Sequence, residues 1–205
     1  MRLLQFTSLL LFVACICSFK EKGNPLKSII GNTVTDFSLK NTDNGFVSLS
    51  HFKDAKGFII VFTCNHCPFA KLYPKRLNEL NAKFKKQGVP LIAINPMDTL
   101  VYEDEVFEIM HQKSRSEKFS FPYLSDASQS VAKNFGITHT PQAIIIWKEN
   151  NKWVIKYSGA IDDNGAHPEL VKVPYVANAI NELLSGKAVS NTGGYSIGCA
   201  VHYRE

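Results

Sequence analysis

The sequence predicts an α/β domain with a central mixed β-sheet that is flanked by helices. Residues 58–62 form an unbroken apolar run rich in β-branched and aromatic side chains, as expected of a strand buried on both faces. A helical pattern follows as far as Gly88, and residues 89–95 are again mostly apolar, which gives the strand–helix–strand unit of a parallel sheet. Residues 142–147 and 153–157 form a predicted hairpin, so the sheet should be mixed.

The remaining segments are expected to extend this sheet and to cover it. Residues 34–39 and 46–49 are two short predicted strands around a turn of Asn, Asp and Gly residues, which gives an N-terminal β-hairpin. Residues 96–120 are longer than a tight connection needs, so we expect an insertion with a helix over 101–112. Two further helices are predicted over residues 127–135 and 173–184, and packing on both faces of the sheet is the natural arrangement.

Composition and charge favour an ordinary globular protein. The chain has 205 residues, of which 45% are hydrophobic and 20% are charged, so a core can form without help from disulfides. The formal net charge is +5, but acidic and basic residues are interspersed, and we expect no nucleic-acid partner. We predict a linker at residues 18–30, a single domain at 31–186 and an irregular C-terminal tail at 187–205.

Residues 1–17 predict an export signal. Arg2 is followed by a short apolar core with small residues near its end, and the stretch is too short to span a bilayer comfortably. Residues 12–15 are similar to a lipoprotein cleavage site, which predicts a lipid on Cys15 and a membrane-anchored product. Cleavage near Ser18 and a buried first helix or strand are the alternatives. We therefore expect an exported protein, which in a bacterium would be periplasmic or anchored as a lipoprotein.

The five cysteines are too few to form a disulfide scaffold. Two of them lie in the predicted signal, which leaves one close pair and one distant cysteine in the exported part. The close pair therefore has to be explained by its chemistry. Those three cysteines are Cys64, Cys67 and Cys199.

The spacing of Cys64 and Cys67 predicts a redox-active pair. Because Cys64 follows a buried strand, we expect it at the first turn of a helix, with both sulfurs on one helix face and close enough for a disulfide. The free N–H groups and the partial positive charge of a helix N-terminus favour a thiolate there. We therefore predict that Cys64 is the exposed nucleophile and that the shielded Cys67 is the resolving thiol.

The residues around the pair are predicted to support it. His66 is expected to donate a hydrogen bond or a charge to the Cys64 thiolate, which predicts a Cys64 pKa well below the usual value of about 8.5. A stabilised reduced form would make the disulfide a stronger oxidant. Asn65 and Pro68 complete the motif as supporting residues. We expect neither a cofactor nor a metal.

These motifs together resemble the thioredoxin superfamily, and more closely the redoxin group of the alkyl hydroperoxide reductase/thiol-specific antioxidant type. The resemblance covers about residues 31–185, and its matching stretches are 35–39, 62–68, 140–141 and 157–163. It implies a thioredoxin-like fold and a thiol–disulfide oxidoreductase that acts on protein thiols or disulfides together with a redox partner protein. It also implies that the bond between Thr140 and Pro141 is cis, lies against the disulfide and adjoins backbone that binds a substrate chain.

Three departures from the pattern bear on the chemistry. Thr63 replaces the usual tryptophan before the first cysteine. The strand at 58–62 carries no acid, so proton transfer from Cys67 should need water or another group. The peroxiredoxin pattern Pro-x-x-x-Thr-x-x-Cys is absent, which argues against peroxidase activity but leaves a thiol-dependent peroxidase as the alternative function.

Other candidate residues carry weaker signals. Cys199 is either a free thiol in the tail or a third redox cysteine, and both interpretations stay open. Asp162 and Asp163 are expected in a turn, with general-base action on Cys67 as the weaker alternative. A zinc-binding protein is an alternative from another class. Cys64, Cys67, Cys199 and His202 supply the ligand types of a Cys₃His site, but we favour this alternative less than the redox function.

Overall fold

The structure is a computed structural model that describes residues 29–205. The predicted export signal, the lipid on Cys15 and residues 18–28 of the predicted linker lie outside this range. Within the described range, no helix combines the length and the apolar character that crossing a membrane requires.

An eight-stranded mixed sheet forms the centre of the fold, and a separate two-stranded sheet lies beside it. In chain order the strands of the described residues are β1 Thr33–Val34, β2 Ser38–Asn41, β3 Phe46–Ser48, β4 Gly57–Phe62, β5 Leu91–Asn95, β6 Tyr123–Ser125, β7 His139–Thr140, β8 Gln142–Glu149, β9 Lys152–Gly159 and β10 Cys199–Ala200. The large sheet has the order β1-β9-β8-β4-β5-β6-β2-β3, and β10 pairs with β7 in the small one. The central strand β4 runs parallel to β5 and antiparallel to β8, so the predicted strand–helix–strand unit and the predicted C-terminal hairpin are both present.

The apolar run that predicted a buried strand is explained by two cores, one on each face of the sheet. Every residue of β4 and β5 is buried. Successive side chains of a strand point to opposite faces. Phe58, Ile60 and Phe62 accordingly pack in one core, while Ile59 and Val61 pack in the other.

Four α-helices of the described part of the chain cover the sheet, and the first of them begins later than predicted. They are α1 Pro74–Phe84, α2 Phe107–Ser116, α3 Ser130–Asn134 and α4 Tyr175–Leu184. A 3₁₀ turn at Ala70–Leu72 precedes α1. Pro74 is the first residue of α1, where the N–H that proline lacks would have no partner within the helix. The predicted helix start at Cys64 is wrong, because Pro68 disfavours the helical conformation at the residue before it.

The predicted insertion has a helix whose position also differs from the prediction. A 3₁₀ turn at Glu103–Glu105 is followed by Val106 in an extended conformation, and only then does α2 begin. The chain between β5 and α2 therefore turns back over the end of the sheet and brings Glu105 into the interior.

The C-terminal tail is docked onto the domain. Strand β10 pairs antiparallel with β7, so that Cys199 lies opposite Thr140, and the Val201 N–H donates to the Thr138 carbonyl at 2.9 Å. A side chain at Gly198 would place its Cβ only 2.2 Å from the Thr140 carbonyl oxygen, so this close approach needs glycine. The tail thus lies at the chain segment that precedes Pro141.

Replacing Phe62 by Ala tests the packing of the core that contains the side chains of Phe58, Ile60 and Phe62. Phe62 is fully buried and its ring lies 5.5 Å from that of Phe135. We expect Phe62→Ala to lower the free energy of unfolding by about 3–5 kcal/mol in urea denaturation, through lost burial and the cavity that remains. Phe46→Ala is the control, since Phe46 is 63% exposed. An equal effect of both substitutions would contradict this packing.

Candidate active site

The two cysteines of the motif lie in a loop at the carboxyl end of the central strand. After β4, the Thr63 N–H still donates to the Ile94 carbonyl at 2.9 Å, and the chain then leaves the sheet. The Cys67 carbonyl accepts from the Lys71 N–H at 3.1 Å, which forms the first helical turn after the loop. Cys67 rather than Cys64 is therefore next to the start of helical structure.

Thr140 contacts both thiols. The Cys64 Sγ lies 3.1 Å from the Thr140 Oγ1, and the neutral Cys67 thiol donates to the Thr140 carbonyl at 3.3 Å. The peptide bond between Thr140 and Pro141 is cis, as the resemblance implies. The structure thus brings the predicted cysteines and the predicted Thr-Pro pair together in one place.

Both thiols of the pair are covered. Cys64 and Cys67 have 0% exposure, and all three cysteines of the described chain are free thiols. The prediction of an exposed Cys64 is therefore wrong for this conformation. The loop that carries Cys64 and Cys67 is tied to the 3₁₀ turn at Glu103–Glu105 on one side and faces the docked tail on the other.

A buried carboxylate that the sequence analysis did not single out holds this loop in place. Glu105 accepts hydrogen bonds from the backbone N–H groups of Asn65 at 2.9 Å and His66 at 2.8 Å. It also accepts from the Asn95 side-chain amide at 2.6 Å. Hydrogen bonds to an ionised acceptor are among the stronger ones in proteins, so this carboxylate fixes the loop conformation.

His66 is directed at Glu105 instead of at Cys64. Its Nδ1 lies 2.5 Å from the Glu105 Oε1, and its ring stacks on Tyr102 with centroids 4.2 Å apart. The expected hydrogen bond from His66 to the Cys64 thiolate is therefore replaced by a hydrogen bond between His66 and Glu105.

Asn65 has a structural role in the same loop. Its side-chain amide donates to the Asp104 carbonyl, and its side-chain oxygen accepts from the Tyr123 hydroxyl, both at 2.8 Å. Asn65 thereby joins the loop to the 3₁₀ turn on one side and to β6 on the other.

The electrostatics of the pair differ from the prediction. The hydrogen bond with Cys67, burial and the nearby negative charge of Glu105 together raise the pKa of Cys64. The predicted acidic Cys64 is therefore wrong. The hydrogen bond from Cys64 is the largest cause that lowers the pKa of Cys67 from 9.0 to about 4, with help from the Cys199 thiol and the Ala70 backbone. When the reduced pair loses one proton, the hydrogen bond from Cys64 thus favours the thiolate form of Cys67.

The third cysteine also reaches the site. Cys199 in β10 lies opposite Thr140, is partly exposed and packs on the same core as Cys64 and Cys67. Burial, followed by its hydrogen bond with Cys67, raises the pKa of Cys199 to about 11.

The metal-capable group at the site differs from the predicted zinc ligands. Ligand atoms of Cys64, His66 and Glu105 lie within 4.8 Å of one another, but Glu105 is already occupied by amide and imidazole donors. We therefore assign these contacts to hydrogen bonding. The His202 ring lies 5.9 Å from that of Tyr102, and within residues 29–205 His202 does not join the cysteines in a Cys₃His group. The zinc alternative is therefore wrong for this conformation.

Asp162 and Asp163 stabilise the chain after β9. The Asp162 carboxylate forms an ion pair with Arg76 at 2.7 Å and accepts from the Tyr73 hydroxyl at 3.3 Å. Asp163 accepts from the Lys172 N–H at 3.0 Å. These contacts agree with the expected turn role, and the hydrogen bond of the Cys67 thiol goes to the Thr140 carbonyl instead of to either carboxylate.

The architecture of the sheet and the surroundings of the two cysteines together indicate what kind of protein this is. A mixed sheet with flanking helices, a Cys-x-x-Cys loop after the central strand and a cis-proline segment against both thiols are the features of thioredoxin-fold thiol redox proteins. The chain belongs to the AhpC/TSA family, whose profile matches residues 30–163. The predicted fold class and the redoxin resemblance are therefore confirmed, and the protein is a redoxin-family thiol oxidoreductase.

Solved structures show the same fold. A hypothetical protein from Sinorhizobium meliloti 1021 is 30% identical, with a TM-score of 0.77 over 85% of this chain and 94% of that one. A conserved protein from Geobacillus kaustophilus is 29% identical, with a TM-score of 0.78 over 87% and 94%. The exposed lipoprotein thioredoxin Etrx1 of Streptococcus pneumoniae TIGR4 shares the fold at 13% identity, with a TM-score of 0.55 over 74% and 99%. No curated protein sequence is significantly similar to the chain.

The ionisation of Cys67 can be measured directly. We expect the reduced protein to keep one thiolate down to pH values well below 9.0, because hydrogen bonds lower the Cys67 pKa. The ultraviolet absorbance of the thiolate follows this ionisation. Cys67→Ser should remove this signal. Cys64→Ala should raise the midpoint towards 9.0, whereas Cys64→Ser keeps a hydrogen-bond donor and should raise it less. A wild-type midpoint near 9.0 would contradict the assignment.

The role of Glu105 in fixing the loop is tested by Glu105→Gln. The amide keeps the size of the side chain but turns one acceptor into a donor that faces other donors. We expect the free energy of unfolding to fall by about 2–4 kcal/mol. The matched control Glu103→Gln changes an exposed neighbour and should cost about 0.5 kcal/mol or less. Equal stability of the two variants would refute the role of Glu105.

Proposed function

We propose that the protein is a thiol–disulfide oxidoreductase that works by interconverting a Cys64–Cys67 dithiol and disulfide. The observation that carries the proposal is the contact of both sulfurs with Thr140, at 3.1 Å from its hydroxyl and 3.3 Å from its carbonyl. The interaction between the two thiols is also the largest cause of the pKa shift of each cysteine. Membership of a thiol redox family supports this assignment.

Cys64 is the proposed nucleophile, and Cys67 is the proposed resolving thiol. In the reduced pair one proton is shared, so it can pass from Cys64 to Cys67 along their hydrogen bond. The Cys64 thiolate then attacks one sulfur of a substrate disulfide, and the other sulfur leaves as a thiolate that takes up the proton from Cys67. The Cys67 thiolate attacks the Cys64 Sγ, which releases the first substrate sulfur and forms the Cys64–Cys67 disulfide. Two electrons pass from the pair to the substrate.

The surroundings of the site suit a polypeptide partner. A cleft of about 470 Å³ lies beside Pro141, between the 3₁₀ turn before α1 and the C-terminal tail. Exposed apolar side chains border it, and these are Phe69, Leu72, Tyr195 and Ile197. Such a border favours contact with protein surface over contact with a small charged molecule. We accordingly propose protein thiols or disulfides, together with a redox partner protein, as the reactants.

Location outside the cytoplasm is part of the proposal, and it rests on the sequence of residues 1–17. Export to the periplasm, with or without a lipid on Cys15, would place the pair where disulfide chemistry is common.

A thiol-dependent peroxidase is the second candidate, and one observation favours it. Cys64 is fully buried beside the Thr140 hydroxyl, so a small oxidant can reach it with less movement of the protein than a protein disulfide needs. Attack of the Cys64 thiolate on a hydroperoxide would give a sulfenic acid and an alcohol or water. Cys67 would then displace water from the sulfenic acid to form the same disulfide.

An insulin-reduction assay and a peroxide-consumption assay on the same preparations separate the two activities. We expect Cys64→Ser and Cys67→Ser each to lower the rate of insulin reduction about a hundredfold or more, because each removes one sulfur of the disulfide. Both variants should keep the wild-type unfolding curve within about 1–2 kcal/mol. Retention of insulin reduction by either variant refutes the proposal, and peroxide consumption that outpaces insulin reduction supports the peroxidase instead.

A further inference from the structure

We propose that Cys199 is a third redox cysteine, which exchanges the disulfide with Cys67 and presents it to the partner protein. The inference rests on the proposed function of the Cys64–Cys67 pair and adds the route by which that buried pair reaches the surface. Three features of the tail carry it, namely its register, its exposure and its close approach at Gly198.

The register of β10 places Cys199 at the pair. Cys199 lies opposite Thr140, the residue whose hydroxyl contacts Cys64 and whose carbonyl contacts Cys67. The Cys199 side chain is also among the groups that lower the pKa of the Cys67 thiol. Cysteines from two segments that are far apart in sequence therefore meet around one residue, and Cys67 interacts with both of the other thiols.

Exposure distinguishes Cys199 from the other two cysteines. Cys64 and Cys67 have 0% exposure, whereas Cys199 is partly exposed. The neighbouring tail residues Tyr195 and Ile197 are 80% and 63% exposed. A partner thiol can therefore reach the Cys199 sulfur without unfolding of the loop that carries the pair.

The tail is shaped to hold this register. At Gly198 an added Cβ would lie 2.2 Å from the Thr140 carbonyl oxygen and 3.1 Å from the Pro141 nitrogen, so a larger residue would push the strand away. Hydrogen bonds fix the tail on both sides of β10, from the Ser158 N–H to the Thr192 carbonyl at 3.0 Å and from the Tyr203 hydroxyl to the Ile137 carbonyl at 2.6 Å. These contacts thus hold Cys199 in a fixed position opposite Thr140.

The exchange balances without any added oxidant. In the oxidised protein, the Cys199 thiolate attacks the Cys67 Sγ, the Cys64–Cys67 bond breaks, and Cys64 leaves and takes the proton that Cys199 lost. A thiolate of the partner's dithiol then attacks the Cys199 Sγ, and Cys67 leaves as a thiolate. The second partner thiol attacks the partner's own sulfur and frees Cys199. The partner ends as a disulfide, and two electrons have entered the protein.

The chemistry of Cys67 suits the middle position. A thiol of low pKa is the better leaving group in disulfide exchange. Hydrogen bonds lower the pKa of Cys67 to about 4, while burial raises that of Cys199 to about 11. Attack of a partner on the Cys67–Cys199 disulfide should therefore occur at Cys199 and release Cys67.

The first experiment asks whether the Cys67–Cys199 disulfide forms. The reduced full chain carrying Cys64→Ser is oxidised mildly with diamide, and the non-reduced digest is analysed by mass spectrometry. We expect a cross-linked peptide pair that contains Cys67 and Cys199. Adding Gly198→Ala should reduce its yield about tenfold, because the strand is displaced, while adding Gly194→Ala should not, since no atom lies within 4 Å of a Cβ there. Absence of the cross-link in Cys64→Ser overturns the proposal.

The second experiment follows electron transfer from reduced thioredoxin, used as a protein dithiol, to the oxidised protein. We expect Cys199→Ser and Cys199→Ala each to slow this step about tenfold or more, and Gly194→Ala to react like the wild type. If both Cys199 variants react as fast as the wild type or faster, the tail only shields the Cys64–Cys67 pair from the partner. That result would overturn the proposal. If Cys64→Ser and Cys67→Ser are inactive while both Cys199 variants are fully active, the proposed function stands and only the role of Cys199 fails. If Cys64→Ser and Cys67→Ser are themselves active, the proposed function is refuted.

Discussion

Thr140 is the residue around which the site is assembled. Its hydroxyl contacts the Cys64 sulfur, its carbonyl contacts the Cys67 sulfur, and its backbone lies opposite Cys199 in the β7–β10 pair. Three segments that are distant in sequence therefore meet at one residue, which the central sheet positions through the adjoining strand β8. The chemistry available to the protein depends on this contact, because disulfide exchange requires sulfurs that are already close and correctly placed.

Two different groups determine the position and the acidity of the thiols. The buried Glu105 carboxylate holds the loop by accepting from backbone and side-chain donors, and its charge disfavours a thiolate on Cys64. Hydrogen bonds within the sulfur cluster stabilise a thiolate on Cys67. Helix N-termini are a common source of low thiol pKa values, and here the backbone of the first helical turn after the loop adds to the effect of the neighbouring thiols on Cys67.

Much of the fold could be predicted from residues whose environment is determined locally. The unbroken apolar runs of β4 and β5 indicated buried strands, and the polar turn between β8 and β9 indicated a hairpin. The pairing of Cys64 with Cys67 and with the Thr-Pro segment followed from their spacing and from the redoxin resemblance. These features could be predicted because the short-range sequence pattern and the long-range packing favour the same structure.

The features that could not be predicted depend on tertiary contacts. Glu105 lies in a run of three acidic residues, which is typical of an exposed surface, and only the turn of the chain over the sheet buries it. The pairing of β10 with β7 joins segments about sixty residues apart by two residues each, which is too little for a sequence pattern to indicate. The burial of Cys64 and the transfer of the charge to Cys67 follow from these same contacts.

The reduction potential of the protein shows whether the three sulfurs around Thr140 form a redox centre. After equilibration in glutathione buffers of graded potential, we expect one two-electron transition, with mass spectrometry locating the disulfide within the Cys64, Cys67 and Cys199 cluster. Its midpoint should lie above about −270 mV, because the stabilised Cys67 thiolate favours the reduced form. The absence of any intramolecular disulfide across the whole range of potentials would contradict the account.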